Sequence, residues 1–165
     1  MQIPLWDAAK AKFVKVDIWI NNAGIGHPET QIWAFTRDQI NEVISTNLIG
    51  AIYGSVIALK GMREQGFGGI YNMEGLGSSG PIIRGLALYG TSKSALSYFT
   101  KSIAKETQGT SILVGGLRPV ETVTPWLAKK VLTNSKNGVN IIWLTRFKVL
   151  RRFLTAPFHK RKIFD

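Results

Sequence analysis

The chain has 165 residues, 45% of them hydrophobic and 19% charged, with a net charge of +11. That length suits one domain with a real core, and the composition is that of a globular chain, not a disordered one. With no cysteine, and His27 and His159 as the only imidazoles, disulfides and thiolate chemistry are excluded and no metal site is expected.

The opening stretch MQIPLWDAAKAK lacks an apolar core and contains neither Arg nor Ser. Neither a secretory signal nor a transit peptide is expected from it. No uninterrupted apolar run reaches the roughly 18 residues of a spanning helix. VDIWINN (16–22) is β-branched and aromatic and predicts a short buried strand, ended by the turn-forming cluster Asn21, Asn22, Ala23, Gly24. Thr36 with Gln39 matches a capping box, so a helix is predicted from about residue 37. Ile40, Val43, Ile44, Leu48, Ala51, Ile52, Val56 and Leu59 give it a helical stripe, and Gly66 a stop.

GGIYNM predicts a second strand, YGTSKSALSYFTKSIAKET a second long helix and SILVGGLRP a third strand that stops at Pro119. Strands alternating with long helices imply an α/β fold with a parallel sheet. VNIIWL (139–144) is a candidate last strand. Residues 146–165 hold seven Lys/Arg and one acid among Phe, Val and Leu, so more than half of the net charge lies in this tail. The tail suits an anionic membrane surface or an ordinary solvated helix. Its bases lack a recognised reading motif, so nucleic acid is not expected as a partner.

Gly75, Gly77 and Gly80 spell G-x-G-x-x-G directly after the second strand. A dinucleotide turn would continue into a helix and meet an acid about 20 residues on. Instead Pro81 follows, and no acid stands between Glu74 and Glu106. The loop is therefore read as facing substrate, not pyrophosphate.

Tyr89 and Lys93, four residues apart, share one helical face. A nearby ammonium favours phenolate, so Tyr89 is a candidate general acid toward a carbonyl, or a base toward an alcohol. The same spacing also fits a plain surface pair. Asn47 lies on the buried stripe of its helix, where a polar amide needs partners. It is either a satisfied core Asn at a kink or an amide that holds water in a relay. The NNAG cluster ends a parallel strand, where open α/β sheets bind ligands. Ser78 and Ser79 lie in the glycine loop, where a hydroxyl is either a hydrogen-bond donor to a substrate carbonyl or an ordinary solvated loop serine.

Taken in order, NNAG, Asn47, NMEGLGSS, YGTSK and LRP resemble the short-chain dehydrogenase/reductase family over about residues 16–126. The resemblance implies a partial Rossmann-type parallel sheet with flanking helices, lacking the first βαβ portion and its phosphate-binding Gly turn. Residues 1–126 would be the C-terminal part of that domain, and 127–165 a shortened extension. It further implies NADP or NAD as cofactor and a tetrad of Asn47, Ser78, Tyr89 and Lys93. Tyr89 would be the proton donor, with Lys93 lowering its pKa and binding the nicotinamide ribose. Ser78 would polarise the carbonyl, and Asn47 would support a water relay. Asn21, Ala23 and Gly24 would border the adenine side, with Pro119, Thr122 and Thr124 on the nicotinamide side. Glu74-Gly75 stand where the family has Ser-Ser, and Val120 where it has glycine.

NMEGLGS…YGTSK and the tail are most similar to the chlorophyll b reductase branch, which implies a carbonyl or formyl group on a tetrapyrrole as substrate. A homo-oligomer through helices 37–65 and 89–106 is implied as well, in the cytoplasm or plastid stroma, peripheral to a membrane through the tail. Two other readings stay open: an inactive fragment or interaction module, and a peripheral membrane-binding protein.

Overall fold

The computed structural model describes residues 5–75, 77–78, 82–118 and 129–142. Helix α1 (Leu5–Phe13) precedes strand β1 (Ile18–Asn21). A short 3-10 turn, Ile32–Ala34, leads into α2 (Arg37–Ile44). The chain then widens into a π turn over Ser45–Ile49 and continues as α3 (Gly50–Gln65). Next come β2 (Gly68–Met73), α4 (Ala87–Glu106) and β3 (Ile112–Arg118). Residues 129–132 form one helical turn before β4 (Val139–Ile142).

Among the described residues, four strands form one sheet in the order β1-β2-β3-β4, every pair parallel. This is the expected α/β fold with helices flanking a parallel sheet. β4 falls within the segment expected to be an extension, yet it continues the same sheet, with Leu117 opposite Ile141. The rest of the expected last strand, residues 143–144, and the basic tail lie outside the described residues.

Local chemistry explains the element ends. The Thr36 hydroxyl accepts from the Gln39 N–H at 3.3 Å and Gln39 Oε1 accepts from the Thr36 N–H at 3.0 Å, which closes the predicted capping box. Gly66, at φ 88°, ends α3 in the left-handed conformation. The helix from Arg37 to Gln65 is long and apolar enough to cross a membrane by length and composition alone. Its inner face is instead that of a core helix, because Val43, Asn47, Ala51, Ser55, Ala58 and Met62 are buried at helical spacing.

Among the described residues, two cores lie on opposite faces of the sheet. Trp6, Ala58, Met62, Ile70, Ile103, Ala104, Ile112 and Val114 pack on the α3/α4 side. Tyr71, Leu117, Val131 and Ile141 pack on the other. The alternation follows from the pleat: Ile70 and Asn72 face the helices, while Tyr71 and Met73 face away. The buried stripe of α4, Leu88, Ser92, Lys93, Leu96, Ser97, Thr100, Ile103 and Ala104, therefore meets the carboxyl end of β2 at its first turns.

Candidate functional site

The site gathers at the carboxyl ends of β1 and β2, against the first turns of α4. Tyr89 lies in the first turn of α4, and Lys93 follows one turn on with its ammonium 5.8 Å from the centre of the Tyr89 ring. Lys93 is only 4% exposed. Its Nζ donates to the carbonyl of Met73, the last residue of β2, at 3.0 Å. That bond fixes the head of the lysine at the strand end. Glu74 follows, buried, with its N–H donated to Leu117 O at 2.7 Å.

Burial sets the ionisation of the pair. It pushes the Tyr89 phenol above its usual value. It pulls the Lys93 ammonium below its usual value, and the nearby Glu74 carboxylate opposes that fall. The family resemblance implies that Lys93 lowers the Tyr89 pKa. The direction here is the reverse, because desolvation of the phenol outweighs an ammonium held on the Met73 carbonyl.

The residue that faces the Tyr89 hydroxyl is Gly75. A Cβ there would collide with that oxygen and come within 3.6 Å of Lys93 Cε. Gly77, at φ +92°, turns the loop back onto the helix, where its own Cβ would lie 2.6 Å from the Gly90 Cα. Only glycine fits this turn, and Gly90 lets the loop approach so closely. Ser78 is nearly buried, and its hydroxyl donates to the Gly75 carbonyl at 2.6 Å. The serine expected opposite Tyr89 thus bonds its own loop, a local turn that its spacing from Gly75 favours.

Asn47 is fully buried in the π turn. Its Oδ1 accepts from the Ile25 N–H at 2.7 Å, and its Nδ2 donates to Ile25 O at 2.9 Å and to Ser92 Oγ at 3.2 Å. Ser92 in turn donates to the Tyr89 carbonyl at 2.7 Å. Asn47 therefore ties the loop after β1 to the helix that carries Tyr89. A π turn re-aims side chains that a regular helix would space differently. A Cβ on Gly24 would lie 3.2 Å from Lys93 Nζ and 3.4 Å from Asn47 Oδ1, so the end of the NNAG cluster closes over both.

Asn21 is placed otherwise than expected. Its amide donates to Ser55 Oγ at 2.9 Å and to Asn72 Oδ1 at 2.8 Å, and its carbonyl oxygen accepts from Trp19 Nε1 at 2.8 Å. The side chain is thus committed to the sheet and α3. Ala23 and Gly24 stay exposed at the strand end.

An open cleft of about 500 Å³ borders Tyr89, lined mainly by apolar groups of Gly77, Ile82, Ile83, Leu86 and Ala87, with Ser94 as a polar member.

The chain matches the model of the short chain dehydrogenase family over residues 3–135. It belongs to that family. It is 38% identical over 128 residues to the "Probable chlorophyll(ide) b reductase" of Arabidopsis thaliana chloroplasts, covering 77% of this chain and 26% of that protein. Against a chlorophyll(ide) b reductase of Oryza sativa subsp. japonica it is 35% identical over 144 residues, covering 84% of this chain and 42% of the relative. The chain thus spans less than half the length of these relatives. The crystal structure of serine dehydrogenase from Escherichia coli superposes with a TM-score of 0.71 at 23% identity, covering 83% of this chain and 67% of that one, and shows the shared fold.

For this short-chain dehydrogenase chain, the structure brings together Tyr89, Lys93, Asn47, Gly24 and the loop of Ser78. Pro119, Thr122 and Thr124 lie outside the described residues, as does Ser79. Sequence reasoning did not single out Ser92 or His27, whose Nε2 accepts from the Tyr89 N–H at 3.3 Å. Ser92 sits four residues before Leu96 on the buried stripe, and that polar position was the available signal. His27 gave none, since its partner lies 62 residues away.

Proposed function

We propose that the site serves NAD(P)H-dependent reduction of a carbonyl or formyl group. The carrying observation is the Tyr89–Lys93 pair, anchored on the Met73 carbonyl beside an apolar cleft. The residues present fit a nicotinamide cofactor at one edge. Gly24 leaves room beside the lysine head that any side chain would take, and Ala23 and Gly24 are exposed at the carboxyl end of β1. These two and Lys93 would hold it, and when bound it supplies the hydride.

The chain's own residues then carry the proton. A phenol held above its usual pKa keeps its proton at neutral pH and can give it to the oxygen of a reduced carbonyl. Lys93 contributes positive charge that favours the phenolate left behind. Ser78 would polarise the carbonyl after exchanging its bond to Gly75 O for one to substrate. Asn47 would order a water beside Lys93 while keeping its hold on Ile25.

A formyl group on a large apolar tetrapyrrole is the substrate class we favour. The names of the two chlorophyll(ide) b reductase relatives and the apolar lining of the cleft support it. The same names support a plastid location. Purified protein should quench or enhance NADPH fluorescence and oxidise NADPH with a formyl-bearing substrate from a carbonyl panel. Neither binding nor turnover with any member of the panel would sink this reading.

Pairing of two copies through residues 37–65 and 89–106 is a second proposal. Tyr53 and Tyr98 are 66% and 76% exposed on these helices, beside the partly exposed Ile49, Val56 and Ile57. Light scattering that finds only monomer would remove it, and with it the interaction-module reading. The basic tail as an anchor on anionic lipid is proposed from its sequence. Binding to liposomes that ignores salt and lipid charge would remove that too.

A further inference from the structure

The loop after β1 is stitched to the start of α4 at several points. Thr30 N–H donates to Gly85 O at 3.0 Å, just before the helix. Asn47 grips Ile25 by both backbone groups. Between these points His27 reaches the helix itself. Its Nδ1 lies 2.7 Å from Pro28 O, and a carbonyl can only accept, so Nδ1 carries the proton. That leaves the Nε2 lone pair free to accept from the Tyr89 N–H at 3.3 Å. The Phe35 ring stands edge-on to the imidazole with centroids 4.8 Å apart and holds its plane.

The first turn of a helix has N–H groups without intrahelical partners, and a side chain at the N-cap normally takes one of them. Leu86, the N-cap of α4, has no side-chain acceptor. His27 takes that role from a distant part of the chain, and the N–H it caps belongs to Tyr89.

We propose that His27 is a positioning residue for Tyr89, and that protonation of His27 uncouples the loop after β1 from the first turn of α4. A doubly protonated imidazole has no acceptor at Nε2. It also places positive charge at the positive end of the helix dipole. Glu29 on its own loop, Arg37 and Asp38 just after Phe35, Arg84 in the turn before α4, and Tyr89 and Lys93 on α4 are charged or titratable groups on the segments packed around it. Phe35 and Asn47 are neutral. A proton on Nε2 would therefore break the bond that holds the loop to the helix. The consequence for proton transfer rests on the proposed role of Tyr89; the coupling itself does not.

The test is a pH titration of the whole chain by NMR, which needs no turnover. The Tyr89 amide shift should follow the His27 ring signals with one midpoint. Its protection from hydrogen exchange, relative to the intrinsic rate, should fall by about tenfold below that midpoint, the scale of one lost hydrogen bond. In His27→Gln, a neutral acceptor replaces the imidazole, and the Tyr89 amide should stay protected with no pH response. A Tyr89 amide that stays flat while the His27 ring titrates would overturn the proposal. So would a response that survives in His27→Gln. Should that variant fail to fold, the wild-type titration decides alone. Co-titration in a chain that turns over no carbonyl would support the coupling while removing the reductase reading.

Discussion

The two faces of β2 bury their residues by different means. On the α3/α4 side, apolar packing gives way toward the strand's end to a buried polar ladder. Asn21 bonds Ser55 and Asn72, Ser55 Oγ donates to Asn72 Oδ1 at 3.3 Å, and Asn72 Nδ2 donates to Thr100 Oγ1 at 2.9 Å. That ladder links β1, α3, β2 and α4. On the far side, among the described residues, β2 itself presents one polar side chain, Tyr71, whose hydroxyl donates to Val131 O at 3.4 Å and accepts from Asn134 Nδ2 at 3.0 Å. Apolar contact is tolerant of small slides, whereas hydrogen bonds fix register. The face that must hold Tyr89 and Lys93 in place is the one laced with hydrogen bonds.

The largest effect should come from the chemistry and leave both faces intact. Tyr89→Phe removes only the hydroxyl beside Gly75. The proposed carbonyl reduction should fall by about 10²–10⁴-fold, the usual worth of a positioned acid. Denaturant midpoints should match wild type. Equal turnover by the variant would detach Tyr89 from the site.

Truncations test the faces themselves. Met62 is 0% exposed and Ile141 is 7% exposed. Met62→Ala should cost about 2–5 kcal/mol, and Ile141→Ala should fall at the low end of that same range. Asn72→Ala should cost about 1–3 kcal/mol for each ladder partner it leaves unsatisfied, and should loosen the Lys93 anchor as well. Urea unfolding gives these numbers. Were Ile141→Ala the more damaging of the two apolar truncations, the ranking of the faces would be reversed.

How far the sequence foretold this layout differs between the faces. Strand and helix order, the capping box at Thr36 and the Gly66 stop are local signals, and each reappears in the structure. Tyr89 and Lys93 were legible because helical spacing alone sets them on one face. Asn47 was visible as a polar residue on an apolar stripe, but its grip on Ile25 depends on a π turn that no propensity marks. Asn21 is expected at the adenine side of a cofactor from the resemblance and from the strand end it occupies. Its side-chain partners in the structure, Ser55 and Asn72, lie 34 and 51 residues away, beyond the reach of any local pattern. Ser78 bonds the Gly75 carbonyl because Gly77 reverses the chain between them, which puts Gly75 against the phenol, and no helical or strand period foretells that turn. The far face gave little beyond VNIIWL, since a four-residue strand carries almost no period.

A smaller effect should appear in the stability of the Lys93 face against pH. Lys93 has its folded pKa below the ordinary lysine value, so the unfolded chain binds its proton more tightly. Stability from this group is therefore present above the unfolded pKa, near 10.5, and is lost as pH falls through the depressed folded value. Tyr89 and Tyr71 have folded values raised above 10.0 by burial. Their contribution is full below the unfolded pKa and is lost as pH rises through the raised one. Wild type should thus gain stability on approaching pH 10 and lose it beyond. Lys93→Met keeps the bulk of the side chain without the desolvated charge. It should remove the rising limb, keep the falling one, and match or exceed wild-type stability at pH 7 while losing turnover. Urea midpoints between pH 7 and pH 11 check this. A clear loss of stability at pH 7 would mean that the bond to Met73 O outweighs desolvation, and that the site stabilises the fold as well as serving chemistry.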